Sequence, residues 1–187
     1  MAISATKICN LALMKVGANR ITSFDDGTKN STLCGEFYDP TVDEVLRMHP
    51  WNCSIARAEL ALLATTPEFG YSYEFTLPTS PYCLRVLTME DDYDFRVEGR
   101  KLLTDQETCK ITYIKRISNP TEFDALVVKV LAARLAVDLA YPIAQSKTLK
   151  ELLAEEFKLI LKEAKSTDAQ EGTPEELDTS TWIDSRY

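Results

Sequence analysis

FDALVVKVLAARLAVDLAY, residues 123–141, carries only four charged side chains, Asp124, Lys129, Arg134 and Asp138. A surface helix keeps one apolar stripe, but here nearly every face is apolar, which places the helix at the centre of a bundle or at a subunit interface. Lys129, Arg134 and Asp138 interrupt the run, so it falls short of a membrane span. Thr121 and Asp124, following Pro120, resemble a capping box that starts the helix, and Pro142 is expected to end it.

Helical patterning continues on both sides. Downstream, residues 147–165 place Leu149, Leu153, Phe157, Ile160 and Ala164 on one stripe opposite many Glu and Lys. Upstream, residues 5–16 align Ile8, Cys9, Ala12, Leu13 and Val16, with Ser4 able to cap the start and Gly17 the end. After a polar loop, a second helix runs through Leu33, Phe37, Val42, Val45, Leu46 and Met48. Pro40 lies inside it, and Thr41 with Glu44 predicts a restart there. Residues 51–64 read as a further short apolar helix.

From Thr65 the period changes. Pro67, Gly70, Pro78 and Pro81 punctuate runs rich in Tyr, Phe, Val and Leu, predicting strands at 71–77, 84–89, 95–98, 101–104 and 110–117. Gly99-Arg100 suits a tight hairpin. Without intervening helices these strands must be antiparallel. The fold class expected is therefore mainly α: a helical bundle over residues 1–165, with a small antiparallel β insertion at about 67–117. An extended acidic C-terminal tail follows at 166–187, holding six acids and one base.

Composition narrows the function. The chain has 187 residues with 45% apolar and 27% charged side chains, the balance of a soluble globular protein, and a net charge of −8. Wrapping nucleic acid needs clustered positive charge, which that balance opposes. The opening MAISATKICN lacks the pattern of a signal peptide, so folding in the cytoplasm is expected. Five cysteines, at 9, 34, 53, 83 and 109, form no CxxC pair and are joined by a single histidine, His49; buried thiols are expected and a zinc site is not.

No catalytic constellation stands out. The acid pairs Asp91-Asp92, Glu155-Glu156 and Glu175-Glu176 read as solvated surface, and His49 sits at a helix end, where an imidazole caps carbonyls. The six glycines form no phosphate-binding loop. Asp138 is the one carboxylate in an apolar setting, and Arg134, four residues earlier, predicts an ion pair. Residues 95–117 carry six bases against three acids. They read either as a surface for nucleic acid or for an acidic segment, or as solvent-facing charges guarding strand edges. On the polar tail, Leu177, Trp182, Ile183 and Tyr187 are apolar anchors for docking, or for folding back on the chain's own domain.

Taken in order, several stretches resemble one family: HPWNCSIARAELA (49–61), FGYSYEFTLP (69–78), CLRVL (83–87), FRVEGRKLLTD (95–105), ITYIKRI (111–117), FDALVVKVLAARLAVDLAYPI (123–143) and STDAQEGTPEELDTSTWIDSRY (166–187). The family is the phage head-to-tail connector (adaptor) of the tail tubular protein A type, found in short-tailed phages and prophages. The likeness covers nearly the whole chain, its specificity lying in the order and spacing of the stretches.

The resemblance implies a non-enzymatic virion protein without cofactor or metal, located at the head–tail junction after assembly in the host cytoplasm. It implies a ring, dodecameric in the relatives, beneath the portal protein and above the tail nozzle protein, with double-stranded DNA passing through the lumen and no membrane contact. An acidic lining suits that passage, because it repels phosphate. By resemblance the tail docks on the portal through Leu177, Trp182, Ile183, Arg186 and Tyr187. The β insertion at Arg96, Arg100, Lys101 and Leu103 becomes the tail-facing or inter-subunit surface. The competing expectations are a cell-wall hydrolase carried by the virion and a nucleic-acid-binding module using the basic strands.

Overall fold

The computed structural model describes residues 3–171. Helix α1 (Ala5–Val16) has the bounds its sequence predicts: the Ser4 hydroxyl accepts from the Lys7 N–H, and Gly17 closes the helix at φ 76°. A side chain with a Cβ rarely tolerates that conformation. In the following loop Asp26 accepts from the backbone N–H groups of Thr22 and Thr28 and from the Thr28 hydroxyl. Thr28 in turn caps α2 (Lys29–Met48).

α2 passes through Pro40 without restarting at Thr41. Proline leaves the Glu36 carbonyl without its helical donor. Glu36 and Pro40 are both exposed, so water can take that carbonyl and the helix continues. The helix expected to end at Pro142 likewise continues: α3 (Ala125–Ala144) contains Pro142, stops two residues later at Ala144 and is closed by Gln145, φ 51°. Lys29 Nζ donates to the Pro142 carbonyl at 2.7 Å, tying that last turn to α2. α3 also begins later than Thr121: a 3-10 turn over Pro120–Glu122 precedes it, and the Asp124 carboxylate accepts from Leu126 N–H as the actual cap. α4 (Lys147–Asp168) extends three residues beyond the stripe expected to end at Lys165. α3 packs against α1, α2 and α4, and Leu131, Leu135 and Leu139 have no exposed surface.

Six strands follow the helical start: β1 (Ile55–Glu59), β2 (Tyr73–Thr76), β3 (Cys83–Met89), β4 (Phe95–Glu98), β5 (Lys101–Thr104) and β6 (Lys110–Lys115). They form two antiparallel three-stranded sheets, ordered β1-β6-β3 and β2-β5-β4. The stretch expected as a helix at 51–64 is instead a 3-10 turn at Asn52–Ser54 and then β1. Ala56 and Ala58 have helical propensity, but pairing of Ile55–Glu59 with Ile114–Lys110 overrides it. The fold is accordingly mixed α and β, with more sheet than a helical bundle with a small insertion.

The first sheet is the middle layer. Ile114, Leu84 and Leu87 join the helical core, whereas Ile111, Tyr113, Cys83 and Met89 join a second core with Phe75 and Leu102 of the other sheet. Alternation along β6 makes this possible, since successive side chains point to opposite faces. Among the described residues, no helix is long and apolar enough to cross a membrane.

Candidate functional site

The β4–β5 hairpin brings the four insertion residues together but aims them in two directions. Arg96 pairs across the strands with Leu103. Arg96, Lys101 and Leu103 line a cleft of about 490 Å³ with the loop of residues 65–71. Leu103 is 7% exposed and so forms wall rather than surface. That loop carries Phe69, which at 86% is the most exposed large apolar side chain among the described residues.

Glu74 is the buried acid of this region. It accepts from the Thr65 hydroxyl and from Lys101 Nζ at 2.9 and 3.0 Å. Those donors hold its carboxyl below the usual range, the Thr65 bond first.

Arg100 turns the other way. Its guanidinium donates to the carbonyls of Cys83 at 2.7 Å and Pro78 at 2.6 Å and lies 4.1 Å from the centroid of the Tyr82 ring. It lines a second cleft, about 560 Å³, between the C-terminal half of α2 and β3. Arg47, Tyr82, Arg85 and Val97 also line it. Sequence reasoning passed over Arg47 and Arg85; the available signal was a lone base inside the apolar run CLRVL and a second base four residues after Asp43.

The excess of bases over 95–117 is largely neutralised in three dimensions. Arg96 pairs with Glu98, Lys101 with Glu74, Lys110 with Glu90 and Lys115 with Glu122, while Arg116 binds both Asp39 and Asp43. Arg100 is spent on carbonyls. This leaves little free positive charge on residues 95–117 for phosphate, and it favours the reading as charges that guard strand edges.

The stretch His49–Asn52 forms a junction. His49 ends α2, and its Nε2 lies 3.1 Å from Asp168 Oδ2. The Asn52 N–H donates to Asp168 Oδ1 at 3.2 Å, and the Asn52 amide donates to the Asp168 carbonyl at 2.8 Å. Trp51 is fully buried beside the imidazole and donates from Nε1 to the Val45 carbonyl. The junction holds the last turn of α4. The sequence suggested that the His49 ring caps carbonyls; among the described residues it instead faces the Asp168 carboxylate.

Asp138 carries the ion pair foreseen for it. Arg134 Nη1 donates to Asp138 Oδ1 at 2.9 Å, and Arg134 Nε reaches Glu44 at 3.1 Å. Burial pushes the Asp138 carboxyl up and the arginine partly offsets this. The cysteines are free thiols; four are buried, and burial raises Cys109 to about 11, which makes it a poor nucleophile at neutral pH. The tail residues Leu177, Trp182, Ile183, Arg186 and Tyr187 lie outside the described residues. No family model and no curated protein sequence matches the chain.

Proposed function

We propose that this chain is a structural subunit of a phage head–tail junction. In this reading copies form a ring beneath the portal, join it to the tail nozzle and leave a lumen for DNA. The observation that carries the reading is the junction at Asp168. It pins the end of α4, which precedes the acidic stretch with Trp182, Ile183 and Tyr187 in the sequence, to the turn after α2. Phe69 and the hairpin cleft offer a second, unlike surface, as a connector between two different partners requires. The ordered resemblance supplies the identity of those partners, the portal protein and the tail nozzle protein.

Two features weigh against the competing readings. A nucleic-acid module built on the basic stretch 95–117 would leave those bases open to phosphate, and they are engaged by acids and carbonyls. A carboxylate hydrolase would present its raised acid in a cleft, and Asp138 is bound into a chain of charges on the helices.

Sedimentation with the portal ring of the same genome tests the proposal. The chain is expected to migrate with the ring, and Trp182→Ala combined with Ile183→Ala to release it while circular dichroism stays unchanged. A chain that stays at the top of the gradient in the presence of the portal contradicts the proposal.

A further inference from the structure

The cleft between α2 and β3 has chemistry that the hairpin cleft lacks. Among the described residues no carboxylate pairs with Arg47, Arg85 or Arg100, in contrast to the five paired bases of the strands. Arg47 and Arg85 are exposed, one on α2 and one on β3. Between them lie apolar surfaces open to solvent: Tyr82 is 44% and Val97 41% exposed. Asp43, at the rim, is occupied by Arg116. A groove with two open cations, Arg47 and Arg85, beside an apolar surface fits an acidic segment that carries an apolar side chain between its acids.

The chain itself contains such a segment. Residues 172–187 hold Glu175, Glu176, Asp178 and Asp184 against one base, with Leu177 set among three of the acids. These 16 residues span at most about 55 Å when extended. They start from α4, which packs on α3, whereas the groove lies between α2 and β3.

We propose that the groove of one copy receives the Glu175-Glu176-Leu177-Asp178 stretch of a second copy. The acids meet Arg47 and Arg85, and Leu177 covers Tyr82 and Val97. Segment and groove are different surfaces, so the contact is heterologous and propagates from copy to copy until it closes a ring. Trp182 to Tyr187 remain available beyond it. The inference rests on the ring reading above and adds the contact that would link neighbours.

The test places a photoreactive benzoylphenylalanine at Leu177 of the full chain. Unlabelled and heavy-isotope-labelled copies are mixed, alone and on the portal ring, and irradiated. The expected product joins residue 177 of one copy to a peptide containing Tyr82–Arg85 or Val97–Arg100 of a copy with the other label. Arg47→Glu with Arg85→Glu should cut that product about tenfold, and Glu175→Arg with Glu176→Arg in the same chain should restore it. Crosslinks within a single copy, crosslinks only to the portal, or no crosslink in either sample would overturn the proposal. Uptake of the chain by the portal is read separately as a gain in mass. A portal that takes up the chain without the groove crosslink therefore leaves the connector reading standing while this contact falls.

Discussion

Asp168 shows how one side chain can anchor the end of a helix. Its carboxylate faces His49 Nε2 and the Asn52 N–H, and it is 9% exposed. Asp168→Ala leaves both groups without that acceptor, which is expected to cost about 1–3 kcal/mol. Hydrogen exchange should report it as lost protection in the last turn of α4, with α1 unaffected. Unchanged protection would show that the helix end does not depend on the junction. Glu74 makes a different prediction. Its folded carboxyl lies below the ordinary value of 4.5, so the unfolded chain binds the proton more readily. The stabilisation is present above that value and is lost as pH falls through the folded one. Urea midpoints should drop on acidification, and Glu74→Gln should flatten that drop; an equal slope in both proteins would remove Glu74 from the account. Asp138 has the opposite sign, since burial raises it.

Elements were legible where local signals agreed with packing. Ser4 and Gly17 bound α1 because a cap and a left-handed glycine act within one turn. Phe95–Glu98 and Lys101–Thr104 were readable because Gly99 supplies the positive φ the turn needs. β1 was not, because two alanines mimic helical propensity and its partner β6 lies more than fifty residues away in sequence. Pro40 misled because the Glu36 carbonyl it orphans lies at an exposed position and can be hydrated, and Pro142 because it falls in the last turn of α3, where the helix ends two residues later. Pro40→Ala should therefore restore a bond to Glu36 and raise stability, by up to about 3 kcal/mol. A lower melting temperature in that variant would contradict the assignment of Pro40 to a helix interior. Leu135→Ala, in contrast, opens a cavity where α3 meets its neighbours and should cost about 2–5 kcal/mol. The candidate site was only half legible: Arg96, Arg100, Lys101 and Leu103 do share a hairpin. That Arg100 joins Arg47 and Arg85 instead depends on contacts between α2 and β3 that no local pattern encodes.

At the scale of the molecule, three layers stack as helices, a middle sheet and an outer sheet, with an apolar core on either face of the middle one. The helical layer holds the base from which the acidic segment departs, and the outer sheet carries the hairpin cleft beside the Phe69 loop. In the proposed ring, a net charge of −8 and the paired bases of residues 95–117 would let DNA slide. DNA retention on filters at low salt should consequently be no greater than for a neutral control protein, and strong retention that falls steeply with salt would reverse that view. The central claim is assembly on the portal, and native mass of the portal mixed with this chain addresses it directly. The account predicts a portal ring heavier by several increments of 21.1 kDa, one for each subunit bound, with the gain lost on deletion of residues 172–187. A portal whose mass is unchanged, with the chain found as a separate monomer, would contradict it.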